Sequence, residues 1–522
     1  MFEILLINTN VMQPPVSPVG LDYVGTYLME NDEDVYLLDL ALIRKDKRMP
    51  TLKDTIEKLQ PDVIGLPVRN IDDCYCLSRD FMLPSIKEIV DYIRTLTNSP
   101  IVIGGVGFSV APEEVMNFLD VDYGIVGDGE KPMLLLCKAL RNEIDFSDVP
   151  GLIYRTSNVI ARNEVTKQSH PINTRLLHDK TVRNDTKSDE SDSYKKNKKL
   201  IKNPPDFDEL IGCPYPLRYF IDNQNYFNQG GMVGIETKRG CAMKCIYCAD
   251  PLSKGTKFRL RPVSVVIEEI TNLVNNGLNV FHFCDSEFNL PLEHSLEICK
   301  EISKEELGQE IEWYAYVSPK PFDSDTAMTY KESGCKGLDF GVDSLNDEML
   351  KNLGRDFDLE NIIQAVEACE ETGITCMLDL LIGGPGETKE TITQTIERVK
   401  KLNPNRIGLS VGVRIYPGTK MEEMIQAMSD EEKKTCLFGE IEDNENLLRP
   451  IFYITEELGW DVHKFLADLI GDDERFFFTD PNKVDTNYNY NDNTVLIDAI
   501  KKGYKGAFWS ILYRLRKNKT SL

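Results

Sequence analysis

Two long stretches of this chain repeat one pattern, a short apolar run followed by a segment of helical periodicity. That repetition limits each stretch to a parallel sheet covered by helices on both faces. The first stretch places apolar runs at Glu3–Asn8, Val35–Leu40, Val63–Pro67, Ile101–Gly105 and Tyr123–Val126. Helical spacing lies between them, over Pro18–Glu30, Leu52–Leu59, Pro84–Leu96, Pro112–Leu119 and Lys131–Leu140. The second stretch has strand candidates at Met232–Glu236, Asn279–Phe283, Glu312–Tyr316, Gly337–Phe340, Thr375–Leu381 and Arg406–Val411. Its helical segments are Val263–Asn275, Leu292–Ser303, Ser324–Glu332, Leu359–Thr372 and Thr388–Lys400.

The chain is thus α/β throughout its first 420 residues. Residues 1–150 predict a flavodoxin-like (Rossmann-like) sheet, with Gly151–Arg155 as one more strand closing it. Ligands of such sheets sit at the carboxyl ends of the strands. The loops there are Thr9–Ser17, Val68–Cys74, Gly104–Ser109 and Gly127–Glu130. No Gly-x-Gly-x-x-Gly follows the first strand, which argues against a dinucleotide site. Residues 226–420 predict a TIM-type α/β barrel, partial or complete, whose site lies at the strand C-termini. Glu236–Cys248, Cys284–Phe288, Gly341–Ser344 and Ile382–Glu387 then ring one mouth.

Between the two units, 151–225 reads as a linker. Its charged portion, 179–203, has too few aliphatic residues to build a core and reads as a solvated loop. Residues 421–522 read as a mostly helical cap or substrate domain, with an Asn/Tyr-rich run at Asn487–Asn493. The length of 522 residues accommodates these units. Lys and Arg number 60 against 85 Asp and Glu, a net charge of −25, so no nucleic-acid partner is expected. No signal peptide and no run of 18 uncharged apolar residues is visible, so we expect no membrane span and a cytoplasmic location.

The 13 cysteines are odd in number and mostly scattered, a poor disulfide framework. Cys241, Cys245 and Cys248 break the scatter with the spacing Cys-x3-Cys-x2-Cys, just after the first barrel strand. Three readings are open from the residues alone. They could be core cysteines, or part of a zinc loop whose nearest further ligands are His282 and Cys284. They could also be thiolates of an iron–sulfur cluster with one iron left open.

The stretch Gly240-Cys241-Ala242-Met243-Lys244-Cys245-Ile246-Tyr247-Cys248 resembles the cluster loop of the radical S-adenosylmethionine (SAM) superfamily. Gly383-Gly384-Pro385-Gly386-Glu387-Thr388 resembles a turn of its cobalamin-using branch. Asp285-Ser286-Glu287-Phe288, Gly341-Val342-Asp343-Ser344 and Arg414–Thr419 resemble further elements of that barrel, with Asp343 where a glutamate is usual. Placed before such a barrel, the first domain resembles a cobalamin-binding (B12-binding) domain. Its Asn8–Gly20 segment lacks the histidine of base-off cobalamin proteins, so no histidine axial ligand is expected from that loop.

The resemblance implies a B12-dependent radical SAM enzyme of the methyltransferase class. Cys241, Cys245 and Cys248 would hold one [4Fe–4S] cluster. Tyr247, Asp285, Ser344, Gly384, Gly386 and Glu387 would contact SAM. Thr9, Asn10, Pro14, Pro15, Val16, Val68, Arg69, Gly104, Gly105, Val106, Gly127, Gly129 and Glu130 would contact the corrinoid, carried as methylcobalamin or hydroxocobalamin. Tyr453, Tyr504 and Trp509 are candidates for the substrate side, and Tyr490 and Phe508 could cover the cavity with them. The implied reaction moves a SAM-derived methyl through the corrinoid to an unactivated carbon, after hydrogen abstraction by a 5′-deoxyadenosyl radical. Rearrangement, ring contraction or cyclisation without net methylation is the alternative, and a non-catalytic corrinoid or SAM sensor a third reading. A flavodoxin- or ferredoxin-type electron donor and a small-molecule or peptide substrate are the implied partners.

Overall fold

The computed structural model describes residues 2–155, 200–207, 210, 216–478 and 490–520. Its first sheet contains β1 (Glu3–Asn8), β2 (Asp34–Asp39), β3 (Val63–Pro67), β4 (Ile101–Gly104), β5 (Tyr123–Ile125), β6 (Leu152–Arg155) and β7 (Leu200–Lys202). The strand order is β2-β1-β3-β4-β5-β6-β7. β1 to β5 run parallel, and β6 and β7 extend the sheet antiparallel. Burial on both faces explains the unbroken apolar runs. Leu5, Ile7, Ile64 and Leu66 fill the core on one side, and Ile4, Leu6, Val63 and Val102 the core on the other.

The charged segment 179–203 is not a loop to its end, because Leu200–Lys202 pairs with β6. Leu200 and Ile201, two of its three aliphatic residues, are what the added strand packs against the cores. Residues 179–199, including Lys195–Lys199, lie outside the described residues.

The second sheet holds β8 (Val233–Ile235), β9 (Val280–Phe283), β10 (Glu312–Val317), β11 (Cys335–Asp343), β12 (Thr375–Ile382), β13 (Arg406–Val411) and β14 (Phe476–Phe477). All are parallel and adjacent in chain order, so the sheet curls as a partial barrel with its two edge strands unjoined. Local chemistry starts the covering helices. The Asp358 and Thr388 side chains cap Leu359–Thr372 and Lys389–Leu402 through capping boxes, and Gly373 at φ 67° ends the first of these. β14 had no sequence signal, since two residues are too short for a period to register.

The C-terminal segment has helices Lys420–Gln426, Asp430–Cys436, Val462–Ile470, Thr494–Lys501 and Phe508–Thr520. It also forms a small antiparallel sheet in which Ile451–Tyr453 lies between Val413–Arg414 and Leu437–Gly439. Tyr453 is therefore buried in that sheet's own core and not on the substrate side. Tyr504 packs beside the Thr494–Lys501 helix under the Arg514 guanidinium. Trp509, 7% exposed, plugs the bottom of the barrel. A Cβ on Gly337 would stand 2.4 Å from its ring. None of these three candidates reaches the mouth, and Phe508 packs between Phe477 and Tyr490.

The two α/β units are joined by buried charge. Arg218, in the linker, donates from Nε to Asp22 at 2.5 Å and from Nη1 to Glu269 at 2.7 Å. Arg261 meets the other oxygen of Glu269 at 2.7 Å, and the Tyr23 hydroxyl donates to Glu269 at 2.9 Å. Asp22 and Tyr23 lie on the Val19–Glu30 helix of the first unit, whereas Glu269 and Arg261 belong to the barrel.

Candidate active site

The cysteine loop begins with a backbone that only glycine tolerates. Gly240 has φ 91°, and a Cβ there would lie 1.9 Å from the Lys257 carbonyl oxygen. Cys241 N–H then donates to Gly255 O at 3.0 Å, and the helix Asp250–Lys254 closes the loop. Two distant segments brace it. Ile246 N–H donates to Leu353 O at 3.1 Å, and Met421 N–H donates to Ile246 O at 2.8 Å. We expect Gly240→Ala to lose iron with all three cysteines intact. Strain and the backbone clash together should cost about 2–4 kcal/mol locally, and an iron content equal to wild type after anaerobic reconstitution would refute this.

Cys241, Cys245 and Cys248 line one cavity of about 180 Å³ together with Met243, Tyr247, Asp250, Pro251, Ser286, Glu287, Tyr316, Gly341 and Arg355. Among the described residues no group of His, Cys, Asp and Glu closes on a single ion. Three thiols spread around a void of this size fit a multi-iron cluster better than one zinc. Burial raises all three thiols, Cys245 to about 11, so each must give up its proton to become a ligand. Arg355 helps at Cys245, where its Nη1 donates to Sγ at 2.9 Å. Arg355 is also held by the Gly341 carbonyl and lies 3.6 Å from Asp343 and 3.8 Å from Glu287. The sequence carried no motif for Arg355. Gly354 beside it is a partial signal, because its φ of 77° and its contact with Lys244 O seat the segment on the cysteine loop.

Of the expected SAM contacts, Tyr247 lines the cavity and donates to Asp343 Oδ2 at 2.7 Å. Asp285 does not face the cavity. Its carboxylate accepts from Lys238 Nζ at 2.8 Å and from Thr237 N–H at 2.9 Å, which ties β9 to the start of the cysteine loop. Its neighbours Ser286 and Glu287 take the wall position instead, and burial pushes Glu287 up to about 7. Ser344 is buried against Thr395 at 3.0 Å. Gly384 and Gly386 form a turn that Glu387 closes on itself, its Oε2 accepting from Gly383 N–H and, at 3.2 Å, from Gly384 N–H. These four residues shape the turns behind the cavity and are not among its lining residues.

Burial holds Glu387 at about 7, above its ordinary 4.5, although the two N–H donors oppose the shift. A carboxyl raised in the folded state contributes stability below pH 4.5 that is lost as pH rises through 7. Glu387→Gln keeps the acceptor and removes the charge, so its stability should fall less across that window, where Glu287 still titrates. The apoprotein variant should then be more stable at pH 8 by up to about 3 kcal/mol. Equal pH dependence of thermal unfolding in both proteins would contradict this.

At the carboxyl edge of the first sheet, Asn10 Nδ2 and Ser17 Oγ are buried with no hydrogen-bond partner, as expected where a polar ligand is to be received. Arg69 is exposed on the next loop and Val106, 44% exposed, on the one after. Pro14, Pro15 and Val16 lie in the same first loop, which the C-terminal segment holds through Asp492 N–H on Gln13 O at 2.7 Å. Three corrinoid candidates serve the protein instead. Val68 is fully buried, with its N–H on Gly104 O and its carbonyl accepting from Gly107 N–H. Thr9 Oγ1 donates to Pro67 O at 2.9 Å. Glu130 accepts from Arg239 at 2.6 and 3.0 Å, two residues before Cys241. With Asp128 on Arg259 at 2.5 Å, it makes Gly127–Glu130 a clasp onto the cysteine loop. The same clasp sets Gly127 against Phe207 and Gly129 against Val24, while Gly104 and Gly105 stay at the end of β4.

Between sheet edge and barrel mouth, two side chains keep open surface although they sit deep in the molecule. Cys284 is exposed and Tyr316 is 46% exposed, yet burial pushes the Cys284 thiol up to about 12 and raises the Tyr316 hydroxyl. Both facts are what side chains bordering an interior chamber would show. The Arg69 charge is felt at Cys284, Tyr316 and Tyr490, which sets these four groups near one another. Tyr490, from the C-terminal segment, packs edge-on against Phe508 and is the aromatic of that segment that feels the Arg69 charge.

Family comparisons agree with this geometry. Residues 6–136 match the B12 binding domain and residues 235–399 the radical SAM superfamily. The chain belongs to the cobalamin-dependent radical SAM enzymes, and a [4Fe–4S] cluster, SAM and cobalamin are the cofactors of that class. Within it the chain is a methyltransferase-type enzyme, similar along its whole length to proteins of that activity. It is 28% identical to the tryptophan 2-C-methyltransferase of Streptomyces laurentii, over 97% of this chain and 95% of that one. The methyltransferase TsrM of Kitasatospora setae, solved with tryptophan substrate and a SAM analogue, superposes with a TM-score of 0.83 at 26% identity over 100% of both chains. The cobalamin-dependent SAM radical enzyme OxsB shares the fold, with a TM-score of 0.65 at 16% identity over 90% of this chain and 66% of that one. Among the described residues no helix is long and apolar enough to cross a membrane.

Proposed function

We propose that this enzyme methylates a ring carbon of a free aromatic amino acid of the tryptophan kind. One observation carries the reading. Tyr316 stands on the wall of the cysteine cavity and also within reach of the Arg69 charge at the corrin-facing edge, so both cofactor faces open onto one chamber. The aromatic rings of Tyr316 and His282, 5.1 Å apart and inclined by 63°, offer an aromatic corner. Burial lowers His282 to about 4, which keeps its imidazole neutral at physiological pH.

Cys241, Cys245 and Cys248 would hold the cluster, and Tyr247, Ser286 and Glu287 would border SAM beside it. Asn10, Ser17, Arg69 and Val106 would meet the corrinoid. When bound, these groups supply a single electron and a methyl carrier. The protein orients them across the chamber and excludes water from it. We place the first unit at 1–155 with Leu200–Lys202 added to its sheet, the barrel at 226–420 with Phe476–Phe477 on its edge, and the C-terminal segment at 421–522, in a cytoplasmic enzyme reduced by a flavodoxin- or ferredoxin-type donor.

The test is anaerobic reconstitution with iron, sulfide and hydroxocobalamin, then SAM, reductant and L-tryptophan. Methylated tryptophan and S-adenosylhomocysteine should form together. Carbon 2 of tryptophan is an sp2 carbon with a strong C–H bond, so 5′-deoxyadenosine in step with product is the readout for the hydrogen-abstraction step. No methyl incorporation by protein loaded with both cofactors would sink the substrate reading.

A further inference from the structure

β11 alternates its side chains across the barrel wall. Gly337 faces the Trp509 plug and Gly341 lines the cysteine cavity, so Asp339, between them on the same face, points into the lumen at mid-height. The parallel register sets Tyr316 beside Asp339, and Asp379 of β12 beside Gly341. Asp339 is 3% exposed and hydrogen-bonds the Asp379 carboxyl. Its Oδ1 nevertheless has no partner.

Two carboxyls this close disfavour a second negative charge, and burial adds to the effect at Asp339. The strongest electrostatic influences on Asp339 are Asp379, Cys376 and Glu287, each itself an acid. A buried charge with no cation to balance it is costly, and so is an acceptor with no donor. A primary ammonium would answer both, with one positive charge and three donors. The pair also acts on Tyr316, which stands beside Asp339 in the register and on the wall of the cysteine cavity, so a cation held there would lie next to the cofactor site.

We propose that Asp339 and Asp379 form an ammonium-binding subsite that takes the amino group of a free amino-acid substrate. The subsite rests on the amino-acid reading above and adds to it. A residue inside a peptide chain has no ammonium to offer, so the pair selects the free amino acid over a peptide.

The experiment measures calorimetric binding of L-tryptophan and of indole-3-propionate, which differs by the missing amino group, to reconstituted holoenzyme without SAM. Wild type should hold tryptophan at least about tenfold more tightly than its partner. Asp339→Asn should bring the two ligands level, by weakening tryptophan and leaving indole-3-propionate unchanged or tighter. Asp379→Asn is the second variant, and corrin absorbance and iron content confirm that each variant is assembled. Equal wild-type affinities, or discrimination that survives in an assembled variant, would overturn the subsite while leaving tryptophan as substrate. Binding of neither indole would overturn the tryptophan reading and the subsite with it.

Discussion

Cys245→Ala is expected to lower methyl transfer below detection and to take iron from about four atoms per chain to less than about one. Cys245 is the thiol that receives Arg355 Nη1 at 2.9 Å, so a guanidinium stabilises its thiolate. Its loss removes a cluster ligand and leaves the guanidinium facing a void. The corrinoid should stay bound, because the loops at the ends of β1, β3 and β4 are untouched. Cys284→Ala is the control. It faces the lumen chamber and is not among the residues lining the cysteine cavity, so its iron content should equal wild type. Anaerobic iron analysis and the corrin absorbance decide the matter. Full iron in Cys245→Ala, or lost iron in Cys284→Ala, would show that the cluster is held elsewhere.

Arg218→Met should destabilise the junction between the two α/β units by about 3–5 kcal/mol, the cost of leaving buried carboxylates without their cation. The Arg218 side chain is 1% exposed, and its partners Asp22 and Glu269 are fully buried. Arg261 remains on Glu269, but no cation is left on Asp22, which keeps only Asn223 Nδ2 at 3.0 Å and the Ile221 N–H at 3.3 Å. The consequence reaches function, because the chamber exists only while the two units are docked. We expect early proteolysis in the linker, weaker corrin retention and a lowered first thermal transition. An Arg218→Met protein that retains corrin and melts like wild type at pH 7.5 would refute the argument.

Legibility in the sequence tracked the range of the interaction. Every strand of the barrel up to Arg406–Val411 and most helix boundaries could be read, because burial on both faces writes itself into runs of Val, Ile and Leu. The three cysteines could be read for a similar reason. One loop must bring three ligands to one cofactor, so their spacing is local. Asp285 and Ser344 were misplaced because a motif marks where a turn is and not which of its side chains looks inward. There the neighbours Ser286 and Glu287 face the cavity. Trp509 was misplaced because an aromatic near a chain end looks the same whether it caps a mouth or plugs a floor.

What the sequence alone determined is the two sheets, their order and the cofactor loop, all set by contacts within a few tens of residues. What only the tertiary structure decided is the chamber and its polar walls. Arg69, Cys284, Tyr316, Asp339, Asp379 and Tyr490 come from both units and the C-terminal segment. Their chemistry arises when docking removes water from between them, and no spacing along the chain records that event.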